Sequence, residues 1–231
     1  MEPKNQLTTP DKPEVSEAVE VLQRRWLSDN AFEIELTRPS ALAFAPGQAV
    51  RLIHSSHERY YSIVSTPGDS TLTLCVHHVH RGIISPRLAE AAKGDVFRLT
   101  GPHGYFIFNP SPRTPVFVAT GTGIAPFVSM VRSGIPDFIL LHEVDLAQEF
   151  YYQDLFRDVA SSYTPCLSDP SKTDSSLPGI FQGRAADFIE HRMAPGVYDF
   201  YLCGNQDMTS RVTLLVDEQF PGSSVFREVF F

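Results

Sequence analysis

Hydrophobic positions change their period once along this chain, near residue 112. Before that point the apolar residues come in short runs rich in β-branched and aromatic side chains: EVLQRRWL, FEIELTRP, GQAVRLI, RYYSIVS, TLTLCVHHV and DVFRLTGP. Pro46-Gly47, Pro67-Gly68 and Lys93-Gly94-Asp95 separate them. Short strands at this spacing predict a small barrel or sandwich over residues 16–110. One helix is expected among them over residues 85–92, with Pro86 in its first turn and Gly94 just beyond.

After residue 112, compact apolar runs alternate with helical ones. PVFVAT, DFILLHEV and YDFYLCG read as buried strands. GTGIAPFVSMVRSG, EFYYQDLFRDVA, FQGRAADFIEHR and NQDMTSRVTLLVDEQF read as helices, and SVFREVFF as a closing strand. Such alternation implies a parallel sheet covered on both faces. Residues 112–231 are therefore expected to form an α/β domain, with a polar loop at 168–180. Residues 1–15, polar and proline-containing, read as a loose tail. Ligands favour domain interfaces and the C-terminal ends of parallel strands, so the chemistry is expected there.

Composition narrows the classes. Of 231 residues, 42% are hydrophobic and 20% charged, as in an ordinary globular protein. No run approaches the ~20 apolar residues of a membrane helix, and no apolar leader core opens the sequence. The expectation is a cytoplasmic protein without a membrane partner. A net charge of -8 argues against a nucleic-acid partner. That charge is uneven: residues 38–113 carry eight Lys/Arg against four Asp/Glu, together with six of the eight histidines. An anionic ligand or acidic partner on the first half would account for it. Cys75, Cys166 and Cys203 are too few and too scattered for a disulfide framework or an iron–sulfur cluster. His77, His78 and His80 do not share one strand face, and no metal is expected.

Two stretches carry candidate chemistry. In RYYSIVSTP, residues 59–67, strand alternation puts Arg59, Tyr61, Ile63 and Ser65 on one face and Tyr60, Ser62 and Val64 on the other. Neither face is cleanly polar or apolar. GTGIAP, residues 121–126, follows a strand and opens a helix. Gly121 and Gly123 let a backbone approach closely, Thr122 and Ala125 complete the turn, and Pro126 suits a first helical turn. A helix N-terminus offers free N–H groups and a positive dipole end to a pyrophosphate. The full G-x-G-x-x-G fingerprint is not met, because position 126 is proline.

R-x-Y-S-x-x-S, then G-x-x-S before a short helix, then G-P-x-G-x-F, G-T-G-x-A-P and C-G follow one another from RYYSIVS to YLCG. This succession resembles the ferredoxin–NADP reductase family over residues 17–231. The resemblance implies a flavin-binding antiparallel β-barrel followed by a parallel nucleotide-binding α/β domain. It implies FAD, and NADH or NADPH, as cofactors. Arg59 would grip flavin phosphate, Tyr61 with Tyr60 beside it would cover the isoalloxazine, and Ser62 would sit near N5. Gly82, Ile83, Ile84 and Ser85 would meet the flavin pyrophosphate, Ser85 also capping the helix, and Cys75 would line the flavin site. Cys203 would lie beside the nicotinamide, Gly204 would admit the dinucleotide, and Asn205 would cap the last helix. Glu228 would polarise the thiol or relay a proton, which makes Ser62, Cys203 and Glu228 the catalytic candidates. A terminal aromatic, Phe231 or Phe230, would stack on the flavin.

Ser168 matches the serine of the Ser-Arg pair that holds a 2′-phosphate in NADPH-using relatives. Asp169 stands where the arginine would be, and a carboxylate repels phosphate. This tilts the expectation to NADH, with Lys172 and Arg184 as compensating cations if NADPH is used. The implied activity is hydride transfer between NAD(P)H and flavin N5, then single electrons to or from a ferredoxin or flavodoxin. Two alternatives stay open: a reductase of free flavin, and a non-catalytic flavoprotein subunit of a larger complex.

Overall fold

The structure, a computed structural model, describes residues 16–169, 171 and 179–229. The expectations on the tail at 1–15, on Lys172 and on Phe230 and Phe231 lie outside the described residues.

Six antiparallel strands form the first domain: β1 (Glu17–Ser28), β2 (Ala31–Thr37), β3 (Ala49–His54), β4 (His57–Ser62), β5 (Thr71–His77) and β6 (Val96–His103). Their order is β4-β3-β6-β1-β2-β5. A bridge between Ile63 and Leu74, and the Val64 N–H bond to the Thr73 carbonyl at 2.8 Å, join the two ends into a barrel. Alternation drives the closure. In β2, Phe32, Ile34 and Leu36 point into the core, while Glu33 and Glu35 face outward to Arg25 and Gln23. Helix α1 (Ile84–Ala89) packs on β3 and β4 and buries Ile84 and Leu88 in the barrel. It is shorter than the expected span 85–92.

The second domain is a parallel sheet in the order β10-β9-β8-β7-β11-β12. Its strands are β7 (Thr114–Thr120), β8 (Ile139–Val144), β9 (Ser162–Leu167), β10 (Phe181–Gln182), β11 (Tyr198–Gly204) and β12 (Ser224–Val229). The helices are α2 (Ala125–Arg132), α3 (Gln153–Val159), α4 (Ala185–Arg192) and α5 (Gln206–Gln219). One strand was not expected, and two local expectations need correction. Strand β9 carries Pro165, which lacks an N–H and disguises the strand pattern. FQGRAADFIEHR begins as strand β10, and Gly183 at φ 147° turns the chain before α4 begins. EFYYQDLFRDVA is helical only from Gln153, after Tyr152 adopts φ 58°.

One core joins the domains. Ala31, Val64 and Phe106 from the barrel pack with Phe117, Phe127 and Tyr201 from the second domain. The Ser129 hydroxyl on α2 donates to the Ser65 carbonyl at 2.8 Å, with both residues buried. Tyr201 also fixes the connecting segment, its hydroxyl accepting the Asn109 N–H at 3.0 Å. Phe117 lies between Phe127 and Phe138, stacked at 4.6 and 5.0 Å between centroids, all three fully buried. This stack seats α2 on the sheet and so holds the turn before it. Phe117→Ala is expected to cost about 3–5 kcal/mol of stability, read as a lower urea midpoint with little change in slope.

Candidate active site at the domain seam

Strand β7 ends at Thr120, and residues Gly121–Ile124 make a single 3-10 turn before α2. Gly121 takes φ 51°, and a Cβ built on it would meet nothing within 4 Å, so this backbone faces open space. Gly123 is the opposite case: a Cβ there would stand 2.2 Å from the Cys203 carbonyl oxygen. Gly204, at φ 148°, would place a Cβ 1.9 Å from the Thr120 hydroxyl. The Asn205 N–H donates to that hydroxyl at 2.9 Å. The ends of β7 and β11 are thus closed together over two glycines. Pro126 lies in the first turn of α2, and Ala125 is buried beside it. The Asn205 side chain accepts from the Met208 N–H at 2.8 Å and caps α5 as expected.

The barrel reaches the same seam through strand register. Ser62, last in β4, pairs with Ala49, which pairs in turn with His103 at the end of β6. The next residue, Gly104, would carry a Cβ 3.6 Å from a carboxylate oxygen of Glu228, and Glu228 pairs with Cys203 across β12 and β11. Cys203 and Glu228 are thus neighbours, and the register of β4, β3 and β6 links the strand end that holds Ser62 to the loop beside them. Ser62 is 3% exposed, and its hydroxyl has no partner among the described residues. One carboxylate oxygen of Glu228 is likewise buried and unpartnered. Burial pushes the Glu228 carboxyl up to about 7. Burial, then the nearby Glu228, pushes the Cys203 thiol well above its usual range. Cys203 is therefore a neutral thiol rather than a thiolate nucleophile.

Arg59 is exposed, with its guanidinium on the Glu58 carbonyl at 2.9 Å. Tyr61 packs against the barrel core, and burial raises its phenol pKa. Tyr60 is half exposed and meets His103 edge-on at 5.2 Å. Strand β4 ends at Ser62, but the expected alternation runs on: Ile63 joins Tyr61 at the barrel core, and Val64 enters the core between the domains. Gly82 and Ile83 lie in the loop before α1, with Ile83 exposed and the Gly82 N–H on the Val79 carbonyl at 2.7 Å.

Three expected roles change. Ser85 does not cap α1; it lies inside the helix, and its hydroxyl accepts the Val79 N–H at 3.0 Å. Ile84 turns its side chain into the barrel core, which leaves only its backbone for a ligand. Cys75 sits in the core between the domains near Tyr152 rather than on an open cofactor face, and burial pushes its thiol up to about 12. Ser168 donates to the Val144 carbonyl at 3.1 Å and to Asp145, tying the ends of β8 and β9. His78 and His80 meet edge-on at 4.5 Å between centroids.

Comparison with known proteins accounts for both halves. Residues 19–108 match the family described as oxidoreductase FAD-binding domain, and residues 117–213 match the oxidoreductase NAD-binding domain. The chain belongs to the ferredoxin reductase-type oxidoreductases. It is 30% identical over 211 residues to the toluate 1,2-dioxygenase electron transfer component of Pseudomonas putida, covering 84% of this chain and 61% of that relative. It is 40% identical over 101 residues to ferredoxin–NADP reductase B of Sorangium cellulosum, 41% of each. The chain thus spans about three-fifths of the length of the first curated relatives it matches. In fold it is similar to a ferredoxin NADP+ reductase from Neisseria gonorrhoeae solved with bound FAD and NADP, at 19% identity. The TM-score is 0.79 over 94% of this chain and 99% of that one. It is also similar to the cytochrome P450 reductase GcoB of Amycolatopsis, with a TM-score of 0.81 and 25% identity over 96% and 73%.

Two features of the chain suit the groups that these domains hold. The unpartnered Ser62 hydroxyl suits a ring nitrogen of a flavin, and the open Gly121 turn suits a dinucleotide. His142, Thr120 and Gln48 also support the site and were not legible in the sequence. Gln48 donates to the Gly104 carbonyl at 3.0 Å.

Glu228 generates a pH prediction. Its carboxyl goes from 4.5 in the unfolded chain to about 7 in the fold, so the folded state holds the proton more tightly. Its contribution is fully present below about 4.5 and is lost as pH rises to about 7. Glu228→Gln should flatten that decline, so the variant gains stability relative to wild type between pH 5 and pH 8 in urea titrations.

Proposed function

We propose that this chain is an FAD-dependent reductase that carries electrons between NAD(P)H and a one-electron protein carrier. The observation that supports the reading is the pairing of Cys203 with Glu228 across β11 and β12, together with unpartnered buried atoms on Ser62 and Glu228. FAD, when bound, supplies hydride exchange at N5 and one-electron exchange with a carrier. The protein's residues bind, orient and exclude water. Arg59 offers paired N–H groups to a phosphate, and Tyr61 gives a ring face to a flat cofactor. Ser62 holds its hydroxyl toward the reacting nitrogen. Backbone N–H groups of residues 121–124, at the head of α2, receive the nucleotide pyrophosphate. Cys203 fills the space beside the nicotinamide as a neutral thiol. Glu228, titrating near 7, holds or releases a proton at its free carboxylate oxygen.

NADH fits better than NADPH. Asp145 and Asp169 stand beside Ser168, just past the ends of β8 and β9, where a ribose diol is welcome and a phosphate is repelled. The carrier is an acidic ferredoxin-type or flavodoxin-type protein, suited to the basic stretch 38–113. The match of residues 82–85, the loop and first turn of α1, favours a retained FAD over a free-flavin substrate.

Anaerobic stopped-flow mixing with NADH and with NADPH tests this reading at the flavin absorbance. NADH should bleach the bound flavin at least tenfold faster than NADPH. Arg59→Ala should purify with less flavin. Bound flavin bleached by neither nucleotide would instead indicate a subunit reduced by its partner.

A further inference from the structure

We propose that His142 is the positioning residue of the nicotinamide-dinucleotide turn, its buried ring holding the Gly121 carbonyl so that the turn presents its N–H groups to phosphate. The proposal rests on assigning residues 121–126 to that dinucleotide. His142 lies on β8, in register with Ala119 on β7, and is fully buried. Its Nε2 stands 3.0 Å from the Gly121 carbonyl oxygen. Phe150 and Tyr151 wall the ring, at 5.8 and 6.3 Å between centroids.

The geometry selects one tautomer. A carbonyl oxygen only accepts, so Nε2 carries the hydrogen. A neutral imidazole has one N–H, which leaves Nδ1 with its lone pair. Nδ1 is buried without a partner among the described residues, as a nitrogen with no hydrogen to place can be. Burial pushes the imidazole pKa down to about 4, so the ring stays neutral at physiological pH.

The bond has something to fix. Gly121 is at φ 51°, and nothing packs where its side chain would be. A glycine in open space has wide backbone freedom. The side-chain bond to its carbonyl, made from a rigid strand, limits that freedom. Without it, the peptide between Gly121 and Thr122 can rotate, and the Thr122 N–H loses its direction.

The test compares His142→Phe, which keeps a ring and removes the donor, with His142→Gln, which restores an N–H. Calorimetric titration with NADH reads affinity directly, and steady-state kinetics with a dye acceptor separate KM from kcat. In His142→Phe, the NADH Kd and KM should rise on the order of tenfold, while kcat and flavin content stay within about twofold. His142→Gln should recover most of the affinity. A His142→Phe protein with unchanged Kd and KM would overturn the proposal while leaving the reductase reading intact. A wild-type protein that binds neither NADH nor NADPH would overturn both. Nitrogen NMR of the wild-type holoprotein gives a second arm independent of variant folding. A protonated Nε2 whose resonance shifts on NADH addition supports the role, and a protonated Nδ1 rules it out.

Discussion

Two backbone segments pass so closely at the ends of β7 and β11 that neither tolerates a side chain at the crossing. Gly123 faces the Cys203 carbonyl, and Gly204 faces the Thr120 hydroxyl. This contact governs the shape of the whole seam. It brings the turn at 121–124 and the Cys203 backbone side by side. It also requires β7 and β11 to be neighbours in the sheet, which the order β10-β9-β8-β7-β11-β12 provides. In doubly wound sheets the strand order reverses at such a point, and a crevice opens there. The aromatic stack of Phe117, Phe127 and Phe138 then holds α2 in place behind the turn.

Burial sets the protonation states around the crevice. The same low-polarity surroundings keep Cys203 a thiol, lift Glu228 toward neutrality and keep His142 uncharged. The acidic residues stand further out, where Asp145 bonds to Ser168 at the strand ends. Glu143 is also buried, but it serves the fold: its carboxylate accepts the Ala185 N–H at 2.8 Å and steadies the start of α4.

The antiparallel barrel and the parallel α/β sheet were legible in the sequence, because alternation in the one and compact strands in the other have different periods. The turn at 121–126 and the cap at Asn205 were legible because glycine, proline and asparagine carry local meaning. What stayed hidden was set by long-range contact. Pro165 disguised strand β9, since pairing with β8 and β10 outweighs local propensity. Ser85 looked like a cap by spacing, yet a loop N–H claims its hydroxyl. Cys75 looked like a cofactor residue by position, yet the domain contact buries it. His142 gave no signal, because a single histidine on an apolar strand acquires a partner only when the sheet forms.

The crossing of the two glycine turns is best tested with Gly204→Ala, followed by the NADH dissociation constant and the bound flavin content. If the crevice depends on this contact, the methyl group drives Thr120 and the turn apart. NADH affinity should then fall by more than tenfold while flavin content stays near that of wild type. A folded Gly204→Ala protein that binds NADH as tightly as the wild type would contradict the account.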